Sequence, residues 1–315
     1  MACYHPVKAY RPLSKLDGGR LVFDSKKALN PDLPIILPCN QCIGCRLDKS
    51  GDWAMRCIHE SQMHALNCFV TLTFNDEHLP EDYSVHKRTL QLFFKRLRKH
   101  ISPARLSFYG CGEYGPENLR PHYHAIIFGY DLPDRVFWKE NHQGDRVYTS
   151  KLLDEIWGFG FTTVGDVTYQ SAGYCSQYVM KKINGEKAVN HYIRTHPRGY
   201  IVKVEPEFQA QSTRPAIGLS WFNKYHSDAF PSDFLVVDGK QHRVPAFYLR
   251  ELIKKEEPPA PDKKYFEGIN AVPSNRIKRV RKQKAQPHKA NNTPERLAVR
   301  HTVKRAKISA LKREL

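Results

Sequence analysis

No stretch of this 315-residue sequence approaches the ~20 consecutive apolar residues that cross a bilayer, so no membrane partner is expected. The N-terminal residues, MACYHPVKAYRPL, lack an apolar signal region, which leads us to expect an intracellular protein. Eight cysteines without a secretion signal then argue for reduced thiols or metal ligands and against disulfides. Acidic residues are also short: 32 Asp and Glu face 50 Lys and Arg, a net charge of +18 that points to a polyanionic partner, nucleic acid first. The shortage is sharpest at the C-terminal end. From Arg276 to Leu315 only Glu295 and Glu314 oppose fourteen basic residues, so +12 of the +18 lies there. Within that stretch Arg279, Arg281 and Lys282 are candidate nucleic-acid contacts.

What is present fits a globular α+β protein. The chain is long enough for one large domain or two small ones, and 41% hydrophobic residues can bury a core. Prolines punctuate the first forty residues, which are expected to be irregular and end in Pro38-Cys39-Asn40-Gln41-Cys42-Ile43-Gly44-Cys45. A C-x-x-C-x-x-C run puts three soft ligands in a tight loop and suits Zn²⁺ or an iron–sulfur cluster, with structural Zn²⁺ preferred. The fourth ligand lies among Cys3, His5, Cys57 and His59, and the set carried forward is Cys39, Cys42, Cys45 and Cys57.

Apolar spacing predicts a helix from Asp48 to Leu66, a strand over Phe69–Phe74 and a helix over Val85–His100. Leu106 to Glu113 and His122 to Phe128 read as two strands, Leu152–Trp157 as a short helix, Phe159–Val167 as a strand, and a last helix starts at Tyr169. Gly110-x-Gly112-x-x-Gly115 formally matches a dinucleotide-binding fingerprint, but Pro116 to Pro121 leads into another strand where that motif needs a helix. The glycines are expected instead to turn the backbone around Glu113. Helices on one side of a largely antiparallel sheet complete the expected sandwich.

The stretch RPHYHAIIFG, Arg120 to Gly129, carries the most chemical information. Strand residues two apart face the same way, so His122 and His124 project together. If the preceding strand pairs antiparallel with this one, Glu113 sits beside them. Two imidazoles and a carboxylate suit Mg²⁺ or Mn²⁺ bound to phosphate, and also Zn²⁺ or Fe²⁺. Arg120, at the head of the strand, is a further candidate nucleic-acid contact. Downstream, Tyr174 and Tyr178 are i and i+4 on one helix face, with Lys181 and Lys182 a turn beyond.

A His-hydrophobe-His strand, a preceding acid, the apolar strand Phe69-Val70-Thr71-Leu72-Thr73-Phe74 and a downstream tyrosine helix together resemble the HUH endonucleases, the rolling-circle replication initiators. Paired tyrosines in this order are most similar to the initiators of Microviridae, and PCNQCIGC, RPHYHAIIFGYDLPDR and YVMKK resemble their gokushovirus branch. The likeness runs from about Met1 to Met180.

The resemblance implies a ferredoxin-like (RRM-like) HUH core with a central, largely antiparallel sheet flanked by helices. It implies a metal held by His122, His124 and Glu113, and a tyrosine nucleophile, Tyr178 or Tyr174, helped by Lys181 or Lys182. The family often has Lys or Arg directly before the second tyrosine, where this chain has Gln177. It places Thr71 and Thr73 near a DNA channel. It also implies the single-stranded viral origin as substrate, a host replication helicase and polymerase as partners, and the cytoplasm of a bacterial host cell as the place of action.

The corresponding division is a Cys-rich segment (1–47), an HUH domain (48–184), an accessory subdomain (185–257) and a basic tail (258–315). The tail is expected to be largely disordered to about Pro294, with a basic amphipathic helix over Glu295–Leu315. Two rival readings are a non-enzymatic, zinc-stabilised DNA-binding or packaging protein, and a transposase on the same HUH chemistry. The first leaves His122, His124, Glu113 and the tyrosines unexplained.

Overall fold

Short strands frame the N-terminal segment of the computed structural model, which describes residues 3–13, 20–115, 118–141, 144–177, 182, 186–196, 198–256, 275–285 and 291–310. Strand β1 (Val7–Ala9) pairs antiparallel with β2 (Ile35–Leu37), a ladder in a region expected to be irregular. Helix α1 (Ile43–Ser61) starts inside the cysteine loop, five residues earlier than predicted, and ends before Leu66.

The central elements follow the predicted periods. In β3 (Asn67–Thr73) every second residue, Cys68, Val70 and Leu72, is fully buried. Helix α2 (Lys87–His100) buries Leu90, Phe93, Phe94 and Leu97 at helical spacing and leaves its basic residues outside. Strands β4 (Ser107–Tyr114) and β5 (Pro121–Phe128) follow, and all eight residues of β5 are buried. A hairpin, β6 (Val136–Glu140) and β7 (Arg146–Thr149), comes next. Helix α3 (Lys151–Trp157) is capped by the Ser150 side chain, which accepts from the Leu153 N–H, and closes at Gly158 with φ +70°. Strand β8 (Thr162–Gly165) and helix α4 (Tyr169–Gln177) complete the core.

Seven strands form one sheet, in the order β11 (Phe208–Gln211)-β4-β5-β3-β8-β7-β6, with every neighbouring pair antiparallel. The fold class is α+β, as expected, but helices cover both faces and not one. On one face α2 and α3 pack Phe93, Phe94, Leu97 and Trp157 against Val70, Tyr123, Ala125 and Ile127. On the other, Ala54 and Cys57 of α1 and Ala172 and Cys175 of α4 meet Tyr109, Cys111, Ile126 and Phe128. A central strand covered twice has no solvent face, which is why β5 is apolar without alternation.

Two strands of this sheet lie outside the predicted set. The β6 residues are all exposed, so they carry no buried alternation to reveal a strand. Strand β11 falls inside the expected accessory subdomain yet pairs with β4, Phe208 opposite Gly112 and Gln211 opposite Tyr109. The glycines of β4 do not turn the backbone; they lie within the ladder. A Cβ on Gly110 would come within 2.9 Å of the His124 carbonyl oxygen, and one on Gly112 within 2.6 Å of the Phe208 ring.

Beyond α4 come α5 (Glu186–His191), the pair β9 (Ile193–Thr195) and β10 (Ile201–Lys203), and α6 (Leu219–Ala229), kinked at Tyr225. The hairpin β12 (Leu235–Val237) and β13 (Lys240–His242), α7 (Ala246–Glu256), α8 (Asn275–Ala285) and α9 (Pro294–Ser309) follow. Helix α8 stands where disorder was expected, and residues 258–274 of that expectation lie outside the described residues. The chain forms two units, Ser50–His226 and Met1–Lys49 with Ser227–Lys312, a division unlike the four segments drawn from composition.

Candidate active site

Register places the polar residues of the central strands. His122 stands opposite Glu113 of β4, and His124 opposite Cys111 of β4 and Thr71 of β3. Residues directly opposite in an antiparallel ladder share a face. The imidazoles and the carboxylate therefore converge: the Nε2 atoms of His122 and His124 lie 2.8 and 3.1 Å from the same Glu113 oxygen, Oε1. All three residues are buried, Glu113 completely. Burial pushes the Glu113 carboxyl up, but the hydrogen bonds from His122 and His124, with their charges, outweigh it and hold it well below the usual carboxylate range.

The outer ring nitrogens are held as well. His122 Nδ1 lies 3.1 Å from the Arg120 carbonyl oxygen, which can only accept, so the proton sits on Nδ1 and Nε2 of the neutral ring presents a lone pair. His124 Nδ1 meets the Thr71 hydroxyl at 3.0 Å. Two imidazole nitrogens and a carboxylate oxygen within 4.8 Å of one another, each backed by an outer contact, form a donor set that fits a divalent cation.

Helix α4 brings Tyr174 to this group. Its start is fixed by reciprocal bonds: the Ser171 N–H donates to Thr168 Oγ1 at 3.0 Å, and the Thr168 N–H donates to Ser171 Oγ at 2.8 Å. Near its other end Ser176 Oγ meets Ser50 Oγ of α1 at 2.8 Å. The Tyr174 ring stands edge-on to His124, centroids 5.1 Å apart, and near Phe69 at 6.3 Å. His124, Thr71, Phe69 and Tyr174 line a cavity of about 490 Å³ together with Trp138 and Arg146 of the β6–β7 hairpin.

Residues 67–183, which hold every element of this site, match the family of the replication-associated protein ORF2. The chain is 33% identical over 267 residues to "Replication-associated protein VP4" of Bdellovibrio phage phiMH2K, covering 82% of this chain and 79% of that one. The chain belongs to the replication-associated proteins of phages. It is also 29% identical to "Replication-associated protein ORF2" of Spiroplasma virus 4, over 80% of each chain. To "Replication-associated protein ORF4" of Chlamydia phage 1 it is 26% identical, over 70% of this chain and 54% of that one. No solved structure matches. The resemblance to replication initiators read from the motifs thus holds at the level of the family, and a role in phage DNA replication follows.

Within this family member the predicted residues have different fates. Glu113, His122, His124 and Tyr174 come together. Tyr178 and Lys181 lie outside the described residues, and Lys182 is half-buried outside any helix or strand. Arg120 pairs with Asp76 at 2.6 Å and donates to the Phe74 carbonyl at 3.0 Å, a brace between the ends of β3 and β5. Arg281 forms a two-pronged pair with Asp233, both bonds 2.8 Å, while Arg279 and Lys282 are exposed on α8. Thr73 is taken up by the Phe161 carbonyl at 2.8 Å, whereas Thr71 faces the cavity.

Cys57 requires a correction. Its thiol is wholly buried among Ala54, Tyr109, Cys111 and Cys175, and the fourth member of the thiol group is Cys3. From Cys45 to Cys57 is twelve residues along α1, about 18 Å at 1.5 Å per residue, beyond any shared ion. Trp138, Lys139 and Arg146 were not singled out from the sequence. An exposed aromatic beside a cation, Lys139 Nζ 4.3 Å from the Trp138 ring centroid, was the available signal.

Proposed function

We propose that this protein initiates rolling-circle replication by nicking single-stranded viral DNA at the origin through tyrosine attack. The observation that carries the reading is the convergence of Glu113, His122 and His124 on one point, with Tyr174 beside His124 at the same cavity. These three residues would hold Mg²⁺ or Mn²⁺. When bound, the ion polarises the scissile phosphate and offsets charge developing on its oxygens.

The remaining work falls to the chain. Tyr174 or Tyr178 gives up its phenol proton and its oxygen attacks phosphorus. The new bond joins tyrosine to the 5′-phosphate, and the bond to the 3′ oxygen breaks and leaves a 3′-hydroxyl. A phenol titrates near ~10, so Lys181 or Lys182 assists by favouring the phenolate. The 3′-hydroxyl primes a host polymerase behind a host helicase, inside the infected bacterial cell. The phosphotyrosyl bond keeps the phosphodiester energy, so the second tyrosine can cut the regenerated origin and the strand can be rejoined without a nucleotide cofactor. Trp138 offers a stacking surface for an unpaired base, and Arg146 and Lys139 offer charge for the backbone.

The test is incubation with single-stranded oligonucleotides from the origin region and Mn²⁺, run on a denaturing gel. A covalent protein–DNA band is expected in the wild type, absent with EDTA, in His122→Ala and in the Tyr174→Phe/Tyr178→Phe double variant. Tight binding of origin DNA without any adduct would overturn the nicking mechanism and favour a binding protein.

A further inference from the structure

We propose that Cys3, Cys39, Cys42 and Cys45 form a closed four-thiolate zinc centre that fastens the N-terminal residues to the loop before α1 and provides the seat for α9. A zinc ion bound to four sulfurs at ~2.3 Å in a tetrahedron sets the sulfurs about 3.8 Å apart. Here Cys3 Sγ lies 3.6 Å from Cys39 Sγ, Cys39 Sγ lies 4.0 Å from Cys45 Sγ, and all four sulfurs fall within 4.8 Å of one another. Every one of them is a free thiol. Four sulfurs spaced evenly around one point match a shared ion and not a disulfide, in which two sulfurs close to ~2.05 Å. An iron–sulfur cluster spreads its ligating sulfurs around several atoms, wider than a single shared ion does.

The backbone around the group is already arranged for thiolates. Amide N–H groups donate to three of the four sulfurs: Tyr4 N–H to Cys42 Sγ at 3.3 Å, Cys39 N–H to Cys3 Sγ at 3.2 Å, and Cys42 N–H to Cys39 Sγ at 3.3 Å. Such donors stabilise negative sulfur and cost nothing further when the thiol protons leave. Cys45 stands in the first turn of α1, where the positive end of the helix dipole favours a thiolate.

Packing shows why this segment needs a metal. The buried cluster here consists of Cys3, Tyr4, Cys42, Cys45 and Leu297, with Cys39 and Ile43 at its edge. Among the described residues Leu297 is the one buried aliphatic side chain in it. Meanwhile Val7, Leu13, Phe23, Leu29, Leu33 and Ile36 are exposed. A segment that buries so little apolar surface depends on a staple. The cluster also reaches α9: Leu297 packs on it, the His301 ring stacks on Tyr4 at 5.4 Å, and His301 Nδ1 lies 3.2 Å from His5 Nε2. Zinc thus holds the platform on which a strongly basic helix sits.

The test uses the full chain and elemental analysis. One zinc per chain is expected in the wild type, in Cys57→Ser and in His122→Ala/His124→Ala, and none in Cys3→Ser or Cys42→Ser. Cobalt substituted into the wild type is expected to show the thiolate charge-transfer absorption and intense visible bands of a tetrahedral four-sulfur site. Because the cysteine variants can fail to fold, a second measurement stays with the wild type. A thiol-specific mercurial is expected to release the zinc in step with four thiols, and trypsin is then expected to cut α9 at Arg296, Arg300 and Lys304. Zinc-free protein, iron in its place, a cobalt spectrum without thiolate charge transfer, or zinc that survives Cys3→Ser and is lost in Cys57→Ser would overturn the proposal.

Discussion

Two groups of ligand-type side chains in this molecule are built by opposite means. Glu113, His122 and His124 come from adjacent strands of one sheet, where ladder register alone aligns them. They mix hard and borderline donors and stand beside a cavity. Cys3, Cys39, Cys42 and Cys45 come from irregular chain and a helix start, offer four soft donors, and are enclosed by Tyr4 and Leu297. The first arrangement leaves coordination positions for a phosphate, and the second leaves none. Chemistry needs the open set, and a segment with little apolar core needs the closed one.

Four experiments would break or sharpen that contrast. The largest effect is expected from Cys42→Ser. Structural zinc contributes roughly 10–16 kcal/mol of apparent binding energy in small zinc domains, so Met1–Lys49 and α9 should lose protease resistance while the β3–β8 core keeps its far-UV circular dichroism. If the whole chain unfolds together, the two regions are not separable. Next comes Glu113→Ala, which leaves two buried imidazoles without their carboxylate. Loss of preorganised charge stabilisation of this kind costs about 10²–10³-fold in rate, so adduct formation should fall by at least that factor in a single-turnover assay, with zinc content unchanged. Equal loss of zinc would join what the comparison separates.

A third experiment sets the site's imidazoles against another buried one. His59 is stacked on the Trp221 ring at 3.5 Å, and burial pushes it down to about 3. Its unfolded form titrates near 6.5, so between these values the unfolded chain binds more protons. The contribution of His59 is therefore complete above about 6.5 and is lost as pH falls toward 3, a matter of a few kcal/mol at about 1.4 kcal/mol per pH unit. Urea midpoints should fall between about pH 6.5 and 4, and His59→Phe should flatten that part of the profile. An unchanged slope would show that His59 does not carry it. The smallest effect is expected from Thr71→Val, which removes the hydroxyl 3.0 Å from His124 Nδ1. Outer contacts of this sort are worth about 10–100-fold in metal affinity, so the Mn²⁺ concentration for half-maximal nicking should rise by that factor, and one unchanged would leave Thr71 a mere strand residue.

The candidate site was largely legible because its parts are local or periodic. His122 and His124 are two apart in a strand, and Glu113 needs only one antiparallel pairing to join them. Strand β6 was illegible because all its residues are exposed, and β11 because four residues, Phe208–Gln211, carry too little pattern. Cys57 was chosen over Cys3 from sequence because nearness along the chain stood in for nearness in space. In the fold, α1 carries Cys57 into the apolar layer against Tyr109 and Cys111.

The sequence by itself determined the helices and strands with strong period, the two-histidine strand, three of the four clustered cysteines and the family to which the chain belongs. Tertiary structure decided that helices cover both faces of the sheet, that Phe208–Gln211 extends it beyond β4, that a hairpin with Trp138 and Arg146 borders the cavity, and that Cys3 joins Cys39. The reason is one of range. Side-chain direction within an element is set by backbone geometry over a few residues, whereas the pairing of distant segments is chosen by how much surface they bury together and by which polar atoms they leave satisfied.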